Sequence, residues 1–291
     1  HAPCPFYVSS AGYGVLFDTN RFLTVYAGRT NPRDAASPPP VKDRNTDSDW
    51  TALPQSDVVE ANVAADGISV LLFAGPTPLD AVRRFNLTCG GGCLPPKWGL
   101  GFWHRVPLRH SADQVEAEVA EFRKHAMPLD VIGLEPGWQS GSYPCTYEWD
   151  PVRFPDPDEL CRRLAGQNVR VNLWENPYVS PKAGVHEALA PLSGSHSVWS
   201  GLVPDYTLPE AVNVASEQHA REHLDRGVSG YKIDECDGYD QWLWPDHATF
   251  PSGRTGEEMR QTYGLQLQRW MTNMFRKRNQ RTYGLVRASN A

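Results

Sequence analysis

The chain has 291 residues, a formal net charge of −6 and a hydrophobic fraction of 40%, which is typical of one large globular domain or two smaller ones. The acidic balance argues against a nucleic-acid-binding protein, because phosphate-binding surfaces need an excess of Lys and Arg. No stretch reaches the roughly 18 apolar residues that a membrane-spanning helix needs, so we expect no membrane segment.

The N-terminal quarter of the chain has the pattern of β-strands joined by turns. Apolar segments at 6–8 and 15–17 flank a glycine turn, and residues 68–72 alternate between apolar and polar side chains. This period of two predicts strands of an antiparallel sheet. The polar, proline-rich segment 31–49 predicts an exposed loop, and the whole region indicates part of a β-sandwich.

The rest of the chain alternates between short apolar strands and helices. The five predicted strands lie at 98–104, 129–134, 169–174, 228–233 and 283–286. Ser111 with Gln114, and Thr255 with Glu258, form capping boxes that predict helix starts between these strands. Such repeated units indicate a parallel sheet covered by helices.

Two folds have this pattern, an open doubly wound sheet and a (β/α)8 TIM barrel. The doubly wound alternative lacks its glycine fingerprint, because the glycine run at 90–92 precedes the first strand. We therefore predict an α/β protein with a (β/α)8 barrel, of which about the first five strands are present. The predicted organisation is a partial β-sandwich, a connecting segment and the N-terminal portion of a catalytic barrel, over residues 1–75, 76–94 and 95–291.

Polar and aromatic residues collect where the predicted strands end. They are Trp103, His104, Glu135, Trp138, Trp174, Glu175, Asp234, Glu235 and Arg287. The carboxyl ends of barrel strands carry the catalytic groups of TIM-barrel enzymes. Carboxylates framed by indoles suit chemistry on a sugar, because glycoside hydrolysis uses two carboxyl groups around the reacting carbon.

The sequence GYKIDECDG at 230–238 places Lys232 two residues before Asp234, on the same face of a strand. The ammonium would favour the ionised form of a nucleophilic Asp234 by charge pairing. An ordinary structural salt bridge between the two residues is the alternative. The same alternation predicts that Glu235 points the opposite way.

Other catalytic and metal-binding patterns are absent from the sequence. There is no HExxH or GxSxG motif, the six cysteines have no zinc-finger spacing, and SGSHS at 193–197 is predicted to be a loop. We expect no metal and no organic cofactor. The sequence does not indicate a compartment.

Several ordered motifs are similar to those of one enzyme family. They are PFYVSSAGYGV at 5–15, LPPKWGLGFW at 94–103, PLDVIGLEPGW at 128–138, WDPVRFPDP at 149–157, VNLWENPYV at 171–179, GYKIDE at 230–235 and YGLVRAS at 283–289. Together they resemble glycoside hydrolase family 31. The resemblance implies a (β/α)8 barrel behind a β-sandwich, a carbohydrate substrate, and retaining hydrolysis of terminal α-linked hexopyranosides by an exo-acting enzyme.

The resemblance also implies roles for individual residues. Asp234 matches the family's nucleophile, which forms a covalent glycosyl-enzyme intermediate. Arg287 and Trp174 match residues that line the sugar site, and Lys232 belongs to the same signature. Glu135 falls where family α-glucosidases usually carry an Asp that holds distal sugar hydroxyls.

The residue Glu135 is longer than the usual Asp, and Trp138 follows it closely in the sequence. We expect both to contact the substrate. The difference leaves α-glucosides and α-galactosides open as substrates.

The general acid/base of the family is an Asp that follows the RAS-like motif, and we expect it beyond Ala291 together with the remaining barrel strands. The acidic residues Asp237, Asp240 and Asp246 are predicted to be loop residues instead. An α-glycosyltransferase of the same family, a non-catalytic carbohydrate-binding barrel and a related α-galactosidase family remain as alternatives.

Overall fold

The computed structural model describes residues 4–28, 34–237 and 244–288. The chain divides into two compact units, one formed by Pro5–Phe85 and the other by His1–Cys4 with Asn86–Ala291. Among the residues described, no helix combines the length and the hydropathy that a bilayer crossing requires.

The N-terminal unit contains two antiparallel sheets. Its elements are β1 (Phe6–Ser9), β2 (Tyr13–Asp18), β3 (Leu23–Ala27), β4 (Val59–Val63), β5 (Ser69–Ala74) and α1 (Pro78–Thr88). One sheet has the order β1-β2-β5, and β3 pairs with β4 in the other. Leu16 and Phe73 of the first sheet form a small core with Ala81 of α1. The two sheets agree with the predicted partial β-domain, whereas β4 and α1 were not predicted.

The larger unit continues with seven strands and five helices among the described residues. They are β6 (Trp103–Arg105), α2 (Ala112–Lys124), β7 (Val131–Leu134), α3 (Pro157–Gly166), β8 (Arg170–Glu175), α4 (His186–Leu189), β9 (Ser193–Val198), β10 (Gly201–Pro204), α5 (Pro209–His219), β11 (Val228–Ile233), α6 (Gly256–Lys277) and β12 (Leu285–Val286). Short 3-10 turns lie at Lys97–Leu100, Pro136–Trp138 and Ala190–Leu192, and a π-helical turn at Ala220–Leu224 continues α5.

Five of these strands form one parallel sheet with the order β12-β11-β8-β7-β6. Among the strands of this sheet, each one after β6 pairs with the one that comes before it in the sequence. The order therefore never reverses, as it does in a doubly wound sheet. This is the strand order of a barrel. The prediction of a partial (β/α)8 barrel is confirmed.

The helices begin where the sequence predicted. The side chains of Ser111 and Thr255 cap α2 and α6. The side chains of Gln114 and Glu258 accept hydrogen bonds from the backbone N–H groups of these two caps and complete both capping boxes. The helix α6 buries one face, on which the apolar residues recur at helical spacing. The buried residues of that face include Met259, Tyr263, Leu267, Trp270 and Met274.

Two local predictions were wrong. The strand predicted at 98–104 is shortened to β6, because Lys97–Leu100 forms a 3-10 turn. The loop predicted at 193–197 is strand β9, which pairs antiparallel with β10. Its sequence SGSHS lacks apolar alternation, so pairing with β10, rather than local pattern, determines the strand.

Candidate active site

The carboxyl ends of the parallel strands bring Glu135, Asp234 and Arg287 of the predicted rim together, whereas His104 packs against α2, next to Glu118 and Phe122. Arg105 ends β6, Glu135 follows β7, Asp234 follows β11 and Arg287 follows β12. The carboxyl ends of parallel strands share one edge of a sheet, which is where barrel enzymes place their catalytic side chains. Hydrogen bonds connect this edge from β6 to β12.

Both carboxylate oxygens of Asp234 accept hydrogen bonds. Oδ1 accepts from the backbone N–H of Glu235 at 2.9 Å and from Nη1 of Arg287 at 3.3 Å. Oδ2 accepts from Nε1 of Trp174 at 3.0 Å, and Nζ of Lys232 lies 4.0 Å from it. The Asp234 side chain is 19% exposed, so the carboxylate is fixed by donors and still accessible.

Glu135 is held between two cations. Nε of Arg105 donates to Oε1 of Glu135 in a short contact, and Nζ of Lys232 lies 3.3 Å and 3.4 Å from the two carboxylate oxygens. Lys232 is therefore nearer to Glu135 than to the acid that the sequence analysis paired with it.

Arg105 extends this network across the neighbouring strands. Its Nη1 donates to Oδ1 of Asn172 on β8 at 2.9 Å. The guanidinium passes directly over Gly133 of β7, where an added Cβ would lie 2.4 Å from Nη1. The absence of a side chain at Gly133 therefore makes room for the cation that orients Glu135.

Glu235 lies beside the same cluster, contrary to the prediction that it points away. The strand β11 ends at Ile233, and Glu235 has a φ of 56°, so the alternation of an extended strand no longer applies. The hydroxyl of Tyr143 donates to Oε1 of Glu235 at 3.2 Å. Burial, and then the charge of Asp234, raise the pKa of Glu235 to about 7.

The two indoles predicted to contact substrate are both 1% exposed. Trp174 reaches the site through its ring N–H, which donates to Asp234. Trp138 donates from Nε1 to the carbonyl of Trp174 at 2.7 Å and packs against Trp149 and His223. This is the position of a packing residue behind Trp174, which differs from the direct substrate contact predicted for Trp138.

A buried polar cluster lies at the end of β8. Glu175, His219 and His223 place ligand-type atoms within 4.8 Å of one another. The nitrogens of His223 lie 3.1 Å from the hydroxyl of Tyr231 and 3.0 Å from the carbonyl of Tyr147. Burial, and then the neighbouring His219, lower the pKa of His223 well below 6.5. The cluster is thus a hydrogen-bond network in which both ring nitrogens of His223 are already engaged.

Two of the acidic residues that were predicted to be loop residues are found in ion pairs. Asp237 accepts from Nε of Arg287 at 3.1 Å, and Asp246 accepts from Arg260 of α6 at 2.7 Å. Asp240 lies outside the described residues.

Sequence reasoning missed three residues of the site, namely Arg105, Tyr143 and Asn172. Arg105 is the last residue of β6, and its position at a strand end was the available signal. Tyr143 lies in the connection between β7 and α3. No helix or strand was predicted there, so the sequence gave no reason to expect Tyr143 at the site.

The five-stranded parallel sheet, with a rim of carboxylates and cations at the carboxyl ends of its strands, defines a protein with a partial TIM barrel. The sequence model of the glycosyl hydrolases family 31 TIM-barrel domain matches residues 92–291. The chain belongs to glycoside hydrolase family 31.

Curated relatives support the same assignment. Alpha-xylosidase XylQ of Lactiplantibacillus pentosus is 27% identical over 91% of this chain and 33% of its own length. Neutral alpha-glucosidase AB of Mus musculus is 29% identical over 72% of this chain and 17% of its own length. The chain spans about a third of the length of the first of these relatives.

Solved structures share the fold. A dextranase of this family from Flavobacterium johnsoniae, complexed with glucose, has a TM-score of 0.76 at 20% identity and covers 99% of this chain and 35% of its own. A family 31 alpha-xylosidase from a soil metagenome, complexed with xylose, has a TM-score of 0.74 at 16% identity, with coverage of 99% and 40%.

Proposed function

We propose that the protein is a retaining, exo-acting α-glycosidase in which Asp234 is the nucleophile. The observation that carries the proposal is the geometry of the Asp234 carboxylate, which is accessible at a barrel strand end and fixed by Trp174 and Arg287. A nucleophile held by donors in one orientation needs little reorganisation to attack a bound sugar.

The proposed reaction has two displacements. In the first, an oxygen of Asp234 bonds to the anomeric carbon while the bond to the leaving oxygen breaks, and a general acid supplies that oxygen with a proton. In the second, water attacks the glycosyl ester, gives its proton to the same acid/base group and releases Asp234. We assign the acid/base role to none of the described residues, and of the acids that follow the nucleophile, Asp237 pairs with Arg287 and Asp246 with Arg260.

Glu135 is the proposed determinant of the sugar. Its carboxylate is 22% exposed and is fixed by Arg105 and Lys232, so it would accept hydrogen bonds from sugar hydroxyls in one orientation. Because the Glu135 side chain is longer than the Asp usual at this position in the family's α-glucosidases, we propose both α-glucosides and α-galactosides as substrates. The relatives named above include α-xylosidases, so α-xylosides join the candidates.

The experiment is a panel of nitrophenyl α-glycosides of glucose, galactose, xylose and N-acetylgalactosamine, offered to the complete protein and to its Asp234→Ala variant. We expect the wild type to hydrolyse at least one glycoside and the variant to lose turnover. External azide should restore turnover in the variant with formation of a glycosyl azide of inverted configuration. Asp225→Asn, which changes an exposed aspartate paired with Arg278, is the matched control.

Unchanged turnover in Asp234→Ala would refute the assignment. Binding of sugars without turnover in the wild type would support a carbohydrate-binding barrel instead. Product analysis at high acceptor concentration separates hydrolysis from transglycosylation, since transfer gives longer saccharides.

A further inference from the structure

The hairpin β9–β10 carries a bulky residue at an unfavourable backbone position. Its strands are joined by the two-residue turn Trp199–Ser200, and both residues have positive φ, 50° and 65°. Turns of this kind favour Asn and Gly, because other side chains are strained in the left-handed region. The requirements of the turn therefore do not explain a tryptophan at this position, and strained residues are often held at functional sites.

Trp199 packs on a tyrosine at the candidate site. Its ring lies 4.9 Å from that of Tyr143 in an edge-on arrangement, and it meets Tyr178 in the same way at 5.3 Å. Tyr143 in turn lies 5.4 Å from the ring of Trp174, whose N–H donates to Asp234. A continuous series of aromatic rings thus runs from the hairpin to the proposed nucleophile.

The backbone holds these rings in a fixed frame. The backbone N–H of Cys145 donates to the carbonyl of Tyr178 at 2.8 Å. The backbones of Val179 and Leu202 exchange two hydrogen bonds, each of 3.0 Å. A Cβ on Gly201 would lie 2.6 Å from the side chain of Pro144, so the glycine allows close contact here. The hairpin is therefore joined to the segment that carries Tyr143.

Tyr143 is held at its hydroxyl, and the residue as a whole is half exposed. The hydroxyl donates to Glu235, and burial, followed by the charge of that carboxyl, raises the pKa of Tyr143 so that it remains a donor. The residue is nevertheless 51% exposed. A rigid, half-exposed aromatic ring beside a catalytic carboxylate is the kind of surface on which the C–H face of a pyranose packs, since ligand sites combine aromatic walls with a few polar groups.

We propose that Tyr143 is a substrate-binding residue that stacks on a pyranose ring, and that Trp199 is its positioning residue. This inference rests on the proposed function, because it takes a glycoside as the ligand.

The test compares Tyr143→Ala and Tyr143→Phe in the complete protein, using the nitrophenyl α-glycoside that the wild type hydrolyses best. We expect Tyr143→Ala to raise KM by about tenfold or more with kcat within about threefold, as for loss of binding that is equal in ground and transition states. Tyr143→Phe keeps the ring and should stay within about threefold of the wild-type KM. Calorimetry measures the Kd of the same glycoside for Asp234→Asn with and without Tyr143→Ala. Adding Tyr143→Ala should raise this Kd by the same factor as it raises KM.

Phe102→Ala is the matched control, since Phe102 is a 45% exposed aromatic residue at the opposite end of β6. Trp199→Ala should raise KM in the same direction as Tyr143→Ala. An unchanged KM in Tyr143→Ala would overturn the stacking role, and so would a rise in KM in Tyr143→Phe equal to that in Tyr143→Ala. Absence of turnover in the wild type would instead overturn the proposed function, so the two failures are distinguishable.

Discussion

A methyl group at position 133 tests whether Arg105 orients Glu135. In Gly133→Ala the new Cβ would lie 2.4 Å from Nη1 and 2.7 Å from Cζ of Arg105. The guanidinium would have to move by about 1 Å to reach ordinary van der Waals contact. Its bonds to Glu135 and Asn172 tolerate only a small change in length, so at least one of them should break.

The expected magnitude follows from the bond that is lost. A hydrogen bond to a charged group contributes about 1.5–3 kcal/mol. If Glu135 holds the sugar in the transition state, Gly133→Ala should lower kcat/KM by about tenfold to a hundredfold. The assay is the steady-state hydrolysis of a nitrophenyl α-glycoside by the complete protein.

A double-mutant cycle separates this effect from general damage to β7. In an Arg105→Ala background the methyl group meets no guanidinium, so adding Gly133→Ala should change kcat/KM by less than about twofold. Gly166→Ala is the matched control, because no atom lies within 4 Å of its added Cβ. Wild-type activity in Gly133→Ala, or the same loss in both backgrounds, would refute the reasoning.

Two further predictions concern buried polar groups. Glu235 has a pKa of about 7 in the folded protein against an ordinary value of 4.5. Its contribution to stability should therefore be complete below pH 4.5 and should be lost as the pH rises to 7, by on the order of 3 kcal/mol. Chemical unfolding at a series of pH values gives the free energy of unfolding as a function of pH. Between pH 4.5 and about 7 this free energy should fall more steeply in the wild type than in Glu235→Gln, and the same pH dependence in both would contradict the prediction. Trp138→Phe removes the donor to the Trp174 carbonyl and should cost about 1–3 kcal/mol in urea unfolding with an unchanged KM, whereas a higher KM at unchanged stability would indicate direct substrate contact by Trp138.

Much of the fold could be predicted from the sequence because it rests on local rules. The capping box at Ser111 and the apolar face of α6 are written into adjacent residues, and both are found in the structure. The grouping of Asp234 and Arg287 at one edge was predictable too, because both follow parallel strands and such strands end together.

Other features depend on contacts between distant parts of the chain. The strand β9 exists because β10 pairs with it, and Arg105 reaches Glu135 and Asn172 only because their strands are neighbours in the sheet. The residues of the site were therefore determined in large part by the sequence itself, through periodicity and position at strand ends. Their partners were decided by the tertiary structure, because a hydrogen bond between side chains far apart in sequence depends on distances that no local pattern encodes.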